Sequence, residues 1–387
     1  MNVQEEKRKC CGCSACVNIC PKNCIAMKED EYGFLYPVID ESQCIQCNLC
    51  KKVCAFNRSE KRDEGQYPIV FAAKNIDKNI HEKSSSGGIF IPLSDFILNN
   101  DGVIYGVEYD EDFTVKHGRA NNKESRDRFV GSKYIQSDMK RTFMEVKRDL
   151  KDGKYVLFSG TACQVHGLVS YLESVKCNTD KLYTVDIVCH GVPSPKMWKE
   201  FLKKFEKIGQ IESITFTSKK IKNELKGLRC KFKNGKEILT GFYWTSYGKL
   251  FLNNYILRES CYNCPYTSVT NRYADITIGD YWGLEKSMPE FCHKKGVSLV
   301  LLHSKKGKEL FDGICEQIEY RKSDVENCIQ PNLKEPSKKP IKLEKFQMKY
   351  KKFGYQRAYN YLFPETIKGK IGKIKRKITG NILGKDF

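Results

Sequence analysis

The hydrophobic rhythm of the chain changes near residue 66. Beyond it, short continuous apolar runs alternate with stretches of helical periodicity, the pattern of buried strands and the helices that cover them. Strands are predicted over 68–73, 103–107, 113–115, 154–159, 182–188 and 298–302. Helices are predicted over 89–98, 137–151, 165–173, 197–208 and about 307–317, the first of them stopped by Asn99-Asn100-Asp101-Gly102. Residues 211–242 alternate polar and apolar positions in short strands, with Asn234-Gly235 as a hairpin turn. The strand–loop–helix–strand succession over 154–188 is an α/β unit, and ligands bind at the carboxyl ends of such strands. Two cysteines, Cys163 and Cys189, fall at those ends and should share one rim. No G-x-G-x-x-G fingerprint is present.

Before residue 60 the rhythm is set by cysteine. Short strands are expected over 25–27 and 34–39 about a Tyr32-Gly33 turn, and Glu60–Gly65 reads as a charged linker. The cysteines run Cys10-x2-Cys13-x2-Cys16-x3-Cys20-Pro21 and repeat as Cys44-x2-Cys47-x2-Cys50-x3-Cys54-Ala55. This is the bacterial two-cluster ferredoxin spacing, in which the fourth cysteine of each run ligates the other cluster. One 4Fe–4S centre would take Cys10, Cys13, Cys16 and Cys54, and the other Cys44, Cys47, Cys50 and Cys20. The x2 loops wrap a cubane and aim backbone N–H groups at its sulfurs. Zinc also binds C-x2-C pairs, but it needs four ligands and has no use for a crossed register. Cys11 and Cys24 are surplus to the ligand sets; Cys24 is expected to pack beneath a cluster as a small buried hydrophobe.

Nineteen cysteines would mark a disulfide scaffold in a secreted protein. Met1–Lys9 is polar and charged, without the apolar core of a secretion signal, and no apolar run approaches the ~20 residues that span a bilayer. The expected compartment is a reducing, anaerobic cytoplasm. The formal charge of +20 is concentrated: 334–387 holds sixteen Lys or Arg against four acids, which is +12 of the total. The rest is dispersed, with no base-reading motif, so nucleic acid is not an expected partner.

A second cysteine set comprises Cys163, Cys189, Cys261 and Cys264, the last two a compact x2 pair. Four thiolates suffice for a further 4Fe–4S cluster, and structural zinc or a redox dithiol are the alternatives. Cys177, Cys230, Cys292, Cys315 and Cys328 lack partners at metal spacing and are expected to be small buried hydrophobes. Ser84-Ser85-Ser86-Gly87-Gly88 opens a predicted helix, which by pattern alone reads first as a flexible linker with a cap and second as an anion-binding arrangement. His190, beside Cys189, is a candidate proton donor or a hydrogen-bonded loop histidine, and His166 reads as structural.

These motifs together resemble the coenzyme F420 hydrogenase/dehydrogenase β-subunit family. The resemblance rests on Ser84–Gly88, Gly131-Ser132-Lys133-Tyr134, Gly160-Thr161-Ala162-Cys163-Gln164, Cys189-His190-Gly191-Val192-Pro193, Cys261-x2-Cys264 and Ala274-Asp275-Ile276 with Gly279-Asp280. It covers the chain from the cysteine-rich module to about residue 320. It implies an α+β, α/β multidomain protein: a bacterial-type ferredoxin module (1–60), then an α/β flavin-binding core in two family regions (66–155 and 156–330); the charge distribution leaves 331–387 as a basic tail. It further implies an iron–sulfur flavoprotein oxidoreductase, with FAD and a third 4Fe–4S cluster, that relays electrons to or from a two-electron carrier. Ser85, Ser86, Gly87 and Gly88 would then hold the flavin pyrophosphate, with Gly160 and Thr161 the next candidate loop. Lys133 would lie beside the flavin, where a cation favours the anionic reduced ring; Lys133 and His190 are the candidate catalytic residues. The expected partner is a redox protein or a small-molecule acceptor. The alternative reading is a non-catalytic subunit that feeds a partner enzyme.

The resemblance leaves the end of the chain unexplained. Ile367, Ile371, Ile374, Ile378 and Ile382 form one helical stripe opposite Lys368, Lys370, Lys373, Lys375, Arg376 and Lys377. That is the pattern of a helix lying on anionic lipid at the inner face of a membrane; a solvated or protein-docked basic tail is the alternative.

Overall fold

The computed structural model describes residue 3 and residues 6–58, 68–216 and 227–364. In the cysteine-rich module, β1 (Ile25–Glu29) and β2 (Leu35–Ile39) form an antiparallel hairpin through Gly33, whose φ of 79° suits glycine. Each cysteine run contains a short helix, Ala15–Ile19 or Leu49–Lys52, which carries its third cysteine.

The core is one mixed sheet. Its strands are β3 (Ile69–Asn75), β4 (Val103–Tyr109), β5 (Val115–Ala120), β6 (Val156–Thr161) and β7 (Leu182–Ile187). A small three-stranded sheet intervenes, built from β8 (Ile211–Thr215), β9 (Gly227–Phe232) and β10 (Glu237–Gly241) around the Asn234-Gly235 turn. β11 (Ile276–Asp280), β12 (Ser298–Leu302) and β13 (Ile318–Ser323) complete the core. The order is β13-β3-β12-β11-β7-β6-β4-β5. β11, β7, β6 and β4 run parallel, and β3 joins that direction because it is antiparallel to β12, itself antiparallel to β11. The carboxyl ends of five strands therefore lie along one rim. The regions 66–155 and 156–330 share this sheet, since β3 pairs with β12 and β4 with β6.

Both faces of the sheet are covered, as its continuous apolar strands require. One face packs Leu93, Ile97, Leu310 and Phe311 from the helices Phe90–Leu98 and Lys305–Asp312. The other packs Phe143, Val146, Leu168 and Leu172 from Thr142–Lys151 and Ala162–Ser174, together with Cys11, Cys13, Ala15 and Val53 of the cysteine module. The module is thus part of the core's own packing. It is also tied by Ser170 Oγ donating to Val53 O (2.8 Å), Asn18 Nδ2 donating to Lys140 O (3.1 Å) and Arg141 Nη1 donating to Asn23 Oδ1 (2.9 Å).

A second lobe gathers Trp198, Phe201, Phe205, Tyr247 and Phe251 against the small sheet. The segment read as the start of a basic tail contributes to it, and that boundary needs correcting. Leu343–Leu362 is a helix kinked at Gly354 (φ 76°), and it buries Leu343, Phe346, Tyr350, Tyr355 and Ala358 in the lobe. Each fully buried apolar side chain contributes roughly 1.5–3 kcal/mol, well above the ~1 kcal/mol cost of one helical glycine. The isoleucine stripe over 367–382 lies outside the described residues. Among those described, no helix is long and apolar enough to cross a membrane. Cys230 and Cys328 are buried and Cys177 and Cys315 partly so, whereas Cys292 is exposed, contrary to its reading as a core residue. It sits at the end of the short turn Pro289–Phe291, whose apolar contact is made by Phe291 instead.

Candidate functional site

The two ferredoxin-type runs fold into matching loops. Gly12 (φ 73°) and Ser14 (φ 62°) in the first correspond to Gln46 (φ 56°) and Asn48 (φ 59°) in the second. Left-handed residues at these positions curl the x2 segments so that amides face inward. Gln46 N–H lies 3.4 Å from Cys44 Sγ, and the N–H groups of Ala15 and Lys51 are directed at the sulfurs of Cys13 and Cys50. Each loop pair surrounds a void. One, about 370 Å³ including the solvent at its mouth, is bordered by Cys10, Cys13, Cys16 and Cys54. The other, about 360 Å³, is bordered by Cys20, Cys44, Cys47 and Cys50. These are the two crossed cysteine quartets that the spacing groups together. Four thiols, inward amides and a void larger than a bare ion fit a cubane. Cys24 is buried with Sγ 3.4 Å from Cys20 Sγ, beneath the second void.

The second cysteine set assembles on the strand rim. Cys163 lies in the first turn of Ala162–Ser174, which Thr161 and Gln164 close with a capping box. Cys189 follows β7, and Cys261 and Cys264 lie on and just after the turn Glu259–Asn263. Val192 N–H is 3.4 Å from Cys261 Sγ. Gly191 (φ 136°) lets the chain pass so closely that an added Cβ would be 3.3 Å from Cys261 Cβ. All four thiols lie within electrostatic reach of one another. Burial pushes the Cys189 and Cys264 thiols up to about 12 and Cys261 well above its ordinary value. Interaction with the Cys11 thiol brings Cys163 down to about 7. A buried quartet held as thiolates needs a cationic core to offset that desolvation. Among the described residues no three His, Cys, Asp or Glu side chains close on a single ion-sized point.

Cys11, surplus by spacing, lies between the two sets: with Cys13 it belongs to the buried cluster against which Cys163 packs, and the neighbouring Cys13 and Cys163 thiols hold its own well above its ordinary value. Sequence reasoning missed this placement because Cys11 meets Cys163 only through the docking of the module. The buried pair Arg272–Asp186 (3.2 Å), with Thr277 Oγ1 donating to Asp186 (2.5 Å), stands behind Cys189 and Cys264. His166 is structural as expected, stacked on Tyr273 and bonded to Tyr266 Oη at 2.8 Å. His190 packs edge-on against Phe251.

The Ser/Gly loop lies at the carboxyl end of β3, on the same rim. Ser85 Oγ accepts from Ser132 N–H (3.1 Å) and Ser132 Oγ–H (3.2 Å), which joins this loop to the one carrying Lys133. The helix Phe90–Leu98 has no side-chain cap, so its first amides are open to an anion. Gly87 is glycine for another reason. Its N–H donates to Ser298 Oγ (2.9 Å), its carbonyl accepts from Asn75 N–H (2.7 Å), and an added Cβ would lie 2.3 Å from Ala73 O. Gly87 therefore holds the loop against the sheet. Lys133 Nζ lies 3.2 Å from Gly131 O and 5.7 Å from the Tyr109 ring centre, and burial brings its ammonium down to about 8. Gly160 and Thr161 lie with the cysteine set: Gly160 is paired to Asp186 across the sheet and Thr161 Oγ1 is 3.2 Å from Cys163 Sγ.

The family model for the C terminus of the coenzyme F420 hydrogenase/dehydrogenase beta subunit matches residues 153–327, and the 4Fe–4S dicluster domain matches residues 9–57. The core thus matches this beta-subunit family over residues 153–327, behind a dicluster ferredoxin module. An uncharacterized ferredoxin of Methanocaldococcus jannaschii is 31% identical over 68 residues, which are 16% of this chain and 87% of that protein. A chain of the F420-reducing NiFe hydrogenase complex from Methanosarcina barkeri is similar at a TM-score of 0.48 and 18% identity, covering 78% of this chain and 93% of that one. That likeness is too loose to carry residues across. These family matches support a redox protein of iron–sulfur and flavin electron transfer.

Proposed function

We propose that the protein is an iron–sulfur flavoprotein oxidoreductase whose electrons pass between two ferredoxin-type 4Fe–4S clusters, a third cluster and FAD. The observation that carries this reading is the packing of Cys13, of one cysteine set, against Gly167 on the helix that opens with Cys163 of another, with Cys11 and Cys163 in the same cluster. Cys10, Cys13, Cys16 and Cys54 would hold the inner ferredoxin cluster, Cys20, Cys44, Cys47 and Cys50 the outer one, and Cys163, Cys189, Cys261 and Cys264 the third. Ser85, Ser132 and the open first amides of the helix Phe90–Leu98 would take the flavin's anionic pyrophosphate. When bound, FAD exchanges single electrons for hydride-level pairs. Lys133, still largely protonated at neutral pH, would place a cation beside the reduced ring, and the half-buried His190 is given no step. The electron acceptor is a small two-electron carrier or a partner redox protein.

Anaerobic turnover of the purified chain with dithionite or reduced ferredoxin and a deazaflavin, nicotinamide or quinone acceptor tests this reading. Reduction of an acceptor that is lost in Cys261→Ala is expected. Electron delivery to a partner protein with no small acceptor reduced would instead favour a subunit without catalysis of its own.

A further inference from the structure

Arg258 is fully buried, at 0% exposure, between the cysteine module and the core. Its backbone belongs to the loop of the second cysteine set: its N–H donates to Val192 O (2.9 Å), and its carbonyl accepts from Cys261 N–H (2.9 Å). Its side chain points the other way. Nε donates to Cys10 O (2.7 Å), Nη2 to Leu35 O (2.9 Å) and Nη1 to Gln136 Oε1 (3.0 Å), while Nη2 lies 3.5 Å from Cys10 Sγ. The guanidinium also covers the Tyr36 ring at 4.0 Å. Gln136 in turn donates to Cys11 O (3.1 Å), closing the network around the first ligand loop.

Among the described residues no carboxylate forms an ion pair with Arg258, and a guanidinium kept from water without a counter-charge is strongly unfavourable. Arg272, the other fully buried arginine near the cysteines, has Asp186. The anion left for Arg258 is the thiolate set beside it. A 4Fe–4S cubane on four thiolates is a dianion when oxidised and gains one more negative charge on accepting an electron. A fixed, dry cation at the ligand sulfur stabilises the reduced form more than the oxidised one.

We propose that Arg258 is the counter-ion of the Cys10–Cys13–Cys16–Cys54 centre, raising its reduction potential while fixing it against the loop that carries Cys261. The inference rests on the cluster reading given above. Its consequence is directional. Burial of the inner centre opposes an added charge, and Arg258 offsets that penalty, so an electron entering at the outer centre is drawn to the side that faces the core. Gln136 is a positioning residue, since it orients the guanidinium without touching a ligand sulfur.

The test is an anaerobic redox titration of the full chain followed by electron paramagnetic resonance, with iron and sulfide assay, for wild type, Arg258→Gln and Arg258→Lys. Arg258→Gln should lower the reduction equilibrium of one ferredoxin-type centre about tenfold, which is about 59 mV for a one-electron couple, and leave the other unmoved. Arg258→Lys keeps the charge and should retain most of the wild-type potential. If Arg258→Gln fails to hold the inner cluster, loading in Arg258→Lys still supports the counter-ion role. Failure of both to load, equal shifts in both, or no shift in Arg258→Gln would overturn it. Wild-type protein without ferredoxin-type signals would contradict the cluster reading itself, separately from the role of Arg258.

Discussion

At the scale of single residues, the grouping of the cysteines was readable because cysteine spacing encodes a loop directly, whereas the reason for a glycine was not. Gly87 reads as part of an anion cradle, yet its lack of a side chain serves the contact with Ala73 and Ser298. The two roles separate by mutation. Gly87→Ala should destabilise the protein by about 1–3 kcal/mol through overpacking, seen as a lower melting temperature. Ser85→Asp sets a carboxylate where the pyrophosphate would lie and should lose flavin while keeping iron and melting temperature. Full flavin occupancy in Ser85→Asp would move the flavin away from this loop. Arg258 and Cys11 were illegible for a different reason: each acts on a residue far off in sequence, and no spacing rule reports a contact between Cys10 and Arg258.

At the scale of elements, the strands over 68–73, 154–159 and 182–188 were legible because both faces of the sheet are covered and the apolar runs are unbroken. β13 was missed, since its burial pattern leaves only Ile318 and Ser323 inside. The helix Leu343–Leu362 was hidden by its lysines, although Leu343, Phe346 and Tyr350 keep helical spacing. The docking of the module depends on Gly167 in the helix Ala162–Ser174, where an added Cβ would lie 2.8 Å from Cys13 Sγ. An exposed helical Gly→Ala gains about 1 kcal/mol; here the sulfur of a ligand cannot yield, so Gly167→Ala should reduce stability and distort the inner-cluster signal. Unchanged spectra with higher stability would contradict this packing. β5 supplies a pH effect. His117, buried with Nε2 3.2 Å from Ser159 O, is brought by burial from 6.5 down to about 4. The unfolded state therefore binds the extra proton between those values, and stability falls as pH drops from 6.5 toward 4. The loss should be about 2 kcal/mol at pH 5, measured by denaturant unfolding of the metal-free protein, and absent from His117→Phe.

At the scale of the whole molecule, a cysteine-rich module is packed into the face of an α/β sheet, so that one cysteine set lies against the helix that opens with Cys163. Sequence reasoning could list twelve ligand candidates but could not order them in space, because that order comes from docking. In the proposed account the inner ferredoxin centre is the link between the outer centre and the rim, and the count of centres is its central claim. The most direct measurement is iron, acid-labile sulfide and flavin per chain in anaerobically purified protein, with Cys261→Ala/Cys264→Ala beside it. The account predicts about twelve iron and twelve sulfide with one FAD in the wild type, falling by about four iron in the double variant while the ferredoxin signals persist. About eight iron in both proteins would contradict the third centre.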